Sequence, residues 1–204
     1  MAALLKVEWL KKSFGGVADL RDGRFELEAG AVHALCGGDG AGKSTFLKVL
    51  TGIARGKAGK IWRNGQEVEF SGPAEALASG IAIIEQELSP IPQTTVAENA
   101  FLGREPPGRF DGVHFRKMNA AAQAILDDLG CAIAATRRVY SLSVAQALRV
   151  EMAKALSHDA EVIFMDEPTS AIGHYGHRRG SPRRRRLYDC LKAASDRKGS
   201  GSSL

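Results

Sequence analysis

The chain has 204 residues, 44% hydrophobic and 25% charged, which suits one domain able to bury a sizeable core. Its net charge of +5 is uneven: residues 173–204 carry nine Lys/Arg against two Asp/Glu, +7, so residues 1–172 sum to −2 and give no reason to expect a nucleic-acid binder. Cys36, Cys131 and Cys190 are odd in number and widely separated, which argues against a disulfide or zinc framework, and no apolar stretch approaches the ~20 residues of a membrane span.

The first residues place lysines behind the apolar ones and show no cleavable apolar region, so no signal peptide is expected. "LLKVEWL" and "GRFELEAG" read as strands around a turn at Gly15 and Gly16. "AVHALC", residues 31–36, is a short apolar run of strand length, and "TFLKVLTG" after it has helical spacing, with Gly52 as the stop. "GKIWRNGQEVEF" predicts two short strands about an Asn64-Gly65 turn. "PAEALASG" predicts a short helix closed by Gly80, and "IAIIEQEL" a buried strand. From about Thr94 the pattern turns helical, through "TVAENAFLG", "RKMNAAAQAILDDLG" (capped by Gly130) and "VAQALRVEMAKALSHD". A last buried strand, "EVIFMDEP", comes after them. Buried strands alternating with helices argue an α/β fold with a mainly parallel sheet, into which residues 94–157 insert a helical subdomain.

Between the strand at 31–36 and the helix after it lies "GGDGAGKST". Gly37, Gly42, Lys43 and Ser44 fit the phosphate-binding pattern G-x-x-x-x-G-K-[ST], in the strand–loop–helix context that the motif requires. Glycine lets backbone N–H groups approach phosphate oxygens, and the helix start adds the positive end of its dipole. Lys43 is expected on the β- and γ-phosphates and Ser44 on Mg²⁺, with Gly40 and Thr45 completing the loop's nucleotide contacts. Phosphoryl transfer also needs a carboxylate for the metal and a group to orient water. Asp166 and Glu167, at the end of the strand "VIFMD", are the candidates for those two tasks.

Taken in order, "GGDGAGKST", "IEQEL", "LSVAQ" and "VIFMDEPTSA" resemble the ATP-binding subunit of an ABC transporter, over about residues 4–172. "TVAENAFLGRE" and "LSVAQ…VEMAKAL" narrow the resemblance to the bacterial sugar-importer branch, of ribose, galactose and xylose type. The resemblance implies a P-loop NTPase core with an antiparallel β region and an inserted helical subdomain. It implies ATP and Mg²⁺ as ligands, Phe14 stacked on adenine, and Gln86 on Mg²⁺ and the attacking water. Ser143 and Gln146 would contact ATP held by an opposing subunit. The implied partners are membrane-spanning permease subunits, a second ATP-binding domain and, indirectly, a periplasmic sugar-binding protein. The implied place is the cytoplasmic face of the cell membrane, and no nucleic acid is expected.

The chain departs from that family in three places. Gly38-Asp39 stands where Glu-Asn is usual, and a carboxylate at Asp39 disfavours phosphate nearby. Ala147 and Leu148 stand where the sugar branch carries glutamines. After Ile172 the expected turn, strands and switch histidine give way to a basic segment, and neither His174 nor His177 is assigned that histidine's role. Residues 173–177 can be encoded by bases that, read one position later, give Ala-Ile-Thr-Asp, so residues 173–204 read as a frameshifted tail of disordered composition and the domain as truncated. Two alternatives to a sugar-import ATPase therefore stand: a module that binds ATP without turning it over, and a soluble protein of the same family that contacts nucleic acid through its arginine run.

Overall fold

The structure, a computed structural model, describes residues 3–14, 17–36, 40–110 and 112–166, with the side chains of residues 14, 17 and 18 excepted. The expectations for Gly37, Gly38, Asp39 and Glu167, for the ring of Phe14 and for residues 173–204 lie outside the described residues. The chain divides into two compact units after Ile83.

The first unit is built on a four-stranded antiparallel sheet, in order β2-β1-β3-β4, from β1 (Leu5–Phe14), β2 (Val17–Leu27), β3 (Ala58–Arg63) and β4 (Gln66–Val68). Leu5 and Val7 face the core while Lys6 and Glu8 do not, the period of two that a half-buried strand requires. The period then breaks. Val7 pairs with Phe25 but Leu10 with Gly23, so β1 holds one extra residue. Trp9 supplies the bulge at φ 58°, which returns Leu10 to the buried side. Asn64 and Gly65 join β3 to β4 with φ of 51° and 80°, the positive pair of a type I′ turn, as the sequence predicts. The helix α1 (Lys43–Leu50) buries Phe46, Leu47, Val49 and Leu50, with Phe46 edge-on to Phe25 of β2 at 6.1 Å. The short helix α2 (Pro73–Ala78) opens with proline at its first position and is closed by Gly80 at φ 79°.

The strand expected at 31–36 is not formed. All six residues are exposed and none joins a ladder among the described residues. A strand exists only by its hydrogen-bonded neighbours. The sheet expected to surround the phosphate loop is represented, among the described residues, by β5 (Ile81–Ile84) and β6 (Val162–Met165), and the larger sheet is antiparallel.

The second unit gathers α3 (Val96–Ala100), α4 (Phe115–Asp128) and α5 (Val144–Ser157) around Val96, Met118, Ala122, Leu126, Ile133, Val139, Val150 and Ala153. The helix α4 ends as its glycine requires: Gly130 sits at φ 68°, its N–H donates to the Asp127 carbonyl (2.9 Å), and the Cys131 N–H donates to the Leu126 carbonyl (2.8 Å). A smaller cluster of Ile84, Leu148 and Met152 takes in Leu88, Ile163 and Met165, and joins α5 to β6.

Candidate functional site

In the first unit the phosphate-loop motif runs directly into α1. Gly40 and Gly42 both adopt left-handed φ, 75° and 77°, as a loop that turns its N–H groups inward demands. At Gly42 a side chain is also barred by contact, since a Cβ there would lie 2.7 Å from the Asp19 carbonyl oxygen. Gly42 is the N-cap of α1, and its carbonyl accepts the Phe46 N–H at 2.8 Å. Among the described residues no side chain caps this end and no acidic residue occupies its first turn, whereas Lys48 sits in the last turn. The N–H groups of the first turn and the positive end of the helix dipole are thus a ready site for an anion. Lys43 is half-buried, Ser44 exposed and Thr45 half-buried at that same end.

In the second unit Asp166 comes directly after β6. Its N–H donates to the Ile84 carbonyl at 3.0 Å, which sets the half-buried carboxylate at the strand end, where an α/β sheet presents ligand groups. Gln86, two residues beyond Ile84, is exposed, between exposed Glu85 and Glu87. Asp166 and Gln86 thus both lie just past paired strand ends. Each carries a hard oxygen donor, the chemistry Mg²⁺ prefers.

Ser143 and Gln146 form a capping box at the start of α5. The Ser143 hydroxyl accepts the Gln146 N–H at 3.3 Å, and Gln146 Oε1 accepts the Ser143 N–H at 3.0 Å. No acidic residue lies in the first turn of α5 either, and Ser143 and Val144 are exposed.

One residue that sequence reasoning missed stands out in the connection from Gln86 to the helices. Asn99 is 3% exposed, and its side chain is saturated. Its Oδ1 accepts the Ile91 N–H (2.7 Å), and its Nδ2 donates toward the Ile91 carbonyl (3.1 Å), the Thr94 hydroxyl (2.6 Å) and the Thr95 carbonyl (3.0 Å). The available signal was its place three residues after Val96, on the apolar face of α3. Beside it, Thr95 and Glu98 make a second capping box, and the Thr95 backbone N–H is the main cause that holds the Glu98 carboxyl below its ordinary value.

Among the described residues no helix is long and apolar enough to cross a membrane. A crystal structure of the ADP conformation of an ATP-binding cassette of an ABC transporter superposes with a TM-score of 0.74 at 25% identity, over 98% of this chain and 79% of that one. A relative in Agrobacterium fabrum, provisionally named a ribose/galactose/methyl galactoside import ATP-binding protein, is 47% identical over 171 residues, 84% of this chain and 34% of the relative. The ribose import ATP-binding protein RbsA of Halalkalibacterium halodurans is 43% identical over 170 residues, 83% of this chain and 34% of its own length. The chain thus spans about a third of the length of the curated relatives it matches. A family model described as ABC transporter matches residues 20–170, so the chain belongs to the ABC transporter family.

Proposed function

We propose that this chain is the ATP-binding part of a sugar importer, binding MgATP and coupling its hydrolysis to transport through membrane-spanning permease subunits. The observation that carries the reading is the start of α1 behind two left-handed glycines, uncapped and free of acids among the described residues, in a chain whose relatives are named for ATP binding and sugar import. Residues 1–172 would be the ATP-binding domain, with 94–157 as its helical subdomain. In this reading the N–H groups from Gly37, Gly40 and Gly42 to Thr45 surround the phosphates, and Lys43 neutralises the β- and γ-oxygens. Ser44, Gln86 and Asp166 would hold Mg²⁺, which when bound screens the charge that builds on the transferred phosphoryl group. Glu167 orients and polarises the attacking water, and Phe14 stacks on adenine. Ser143 and Gln146 contact ATP on a second ATP-binding domain, so turnover requires two such domains closed together. The subunit would then sit on the cytoplasmic face of the membrane, with a periplasmic sugar-binding protein delivering the substrate.

The test is MgATP binding and phosphate release by the chain, beside Lys43→Ala and Glu167→Gln. Binding lost in Lys43→Ala and release lost in both variants is the expected result. Binding that needs Lys43 without any release would convert the proposal to an ATP-binding module that does not turn over. No binding by the unaltered chain would overturn it.

A further inference from the structure

Two polar side chains are fully buried among the described residues, Thr51 and Asn99. Thr51 only returns its hydroxyl to the Leu47 carbonyl in its own helix, at 2.8 Å. Asn99 instead reaches out of α3 and fastens residues 91–95, the stretch that leads from Gln86 into the helices. The same stretch has a second anchor. The Val139 N–H donates to the Thr94 carbonyl (3.1 Å), the Tyr140 N–H to the Pro92 carbonyl (2.9 Å), and the Val96 N–H to the Arg137 carbonyl (3.0 Å). The Arg138 guanidinium adds a bond to the Gln93 carbonyl. Residues 139–141 form a 3₁₀ turn that passes through Leu142 into Ser143, the cap of α5. Nearer Gln86, Leu88 packs with Leu148 and Met152 of α5.

We propose that Asn99 is a positioning residue that fixes residues 91–95 on the 137–140 turn, so that nucleotide engaged at Gln86 is reported to the Ser143 end of α5. The inference rests on the roles proposed above for Gln86 and Ser143. An unfastened connection of this length would absorb a displacement at Gln86 within its own backbone freedom. A saturated buried amide removes that freedom, because moving the stretch would orphan polar groups away from water. Motion at Gln86 is then carried to α5, through the turn that ends in its cap and through Leu88 against Leu148 and Met152.

Hydrogen exchange on the full chain, with and without MgATP, tests this in the unaltered protein, in Asn99→Ala and in Arg138→Ala. The last loosens the same strap from an exposed position and leaves the buried amide intact. MgATP is expected to slow exchange of the amides of residues 139–147 in the unaltered chain. Both variants should keep their ATP affinity within about twofold while that response shrinks by about tenfold, an ordinary size for a coupling between sites. Where phosphate release is measurable, kcat should fall with KM for ATP unchanged. An unaltered chain that binds ATP without changing exchange at 139–147 overturns the inference alone, as does an undiminished response in Arg138→Ala together with any folded Asn99→Ala. An unaltered chain that binds no ATP overturns the underlying reading as well.

Discussion

Glu151, on α5, is the acid whose surroundings suit it least among the described residues of the second unit. Its side chain is 15% exposed, Oε1 has no hydrogen-bond partner among the described residues, and Lys154 Nζ stands 4.0 Å from Oε2. Burial pushes its carboxyl above the ordinary value, with Lys154 opposing the shift. The folded state therefore keeps a proton that the unfolded chain has already lost. Stability falls as pH rises from the ordinary Glu range through the raised value, and the deficit is constant above it. Glu151→Gln is expected to melt with the unaltered chain near pH 4 and above it at pH 7, by about 2–4 °C if about 1 kcal/mol is recovered. Thermal melts across that range check it, and a gap that does not widen with pH would exclude the desolvated charge as its cause. This residue was invisible in the sequence, where "VEMAKAL" reads as ordinary helix and burial depends on what α5 packs against. Gly42 was legible for the opposite reason. A fixed motif spacing names the position, and the left-handed φ arises from local chemistry alone.

The elements show the same division between local and non-local causes. Helix caps and two-residue turns are settled within a few residues, so Asn64-Gly65, Gly80 and Gly130 all do what their sequence says. Residues 31–36 carry the right composition for a strand but join no β-ladder among the described residues, and composition does not supply one. Asn99 was missed although its partners Ile91, Thr94 and Thr95 lie within eight residues of it, because its burial depends on what packs against α3. The start of α5 is local, so the effect of altering it is predictable. Ser143→Ala removes the acceptor for the Gln146 N–H and should cost about 1 kcal/mol in denaturant unfolding, with Ser143→Thr or Asp recovering most of it. A cost near zero would mean that water caps this helix equally well.

At the scale of the whole molecule, charge separates the family domain from the basic segment at 173–204. Residues 1–172 sum to −2 while the chain carries +5. The full chain is expected to bind a cation exchanger at pH 7.5, and residues 1–172 to pass through it. Any salt-sensitive retention of RNA or DNA should disappear with residues 173–204. Retention by residues 1–172 would place a nucleic-acid surface on the domain itself, against the charge balance of its sequence. The fold class was legible at this scale because four motifs in fixed order constrain it jointly, and the superposed cassette agrees.

The capping box at Ser143 has one more consequence, which concerns the sign of the surface it leaves behind. The box engages an acceptor from each partner: a lone pair of the serine oxygen takes the Gln146 N–H, and Gln146 Oε1 takes the Ser143 N–H. The groups still available on the two side chains are chiefly hydrogens, the serine O–H and the two N–H bonds of the glutamine amide. Folding has thus polarised two residues that are ambidextrous in isolation. Without any positive charge of its own, the tip of α5 is left to greet an oxyanion and to rebuff a cation.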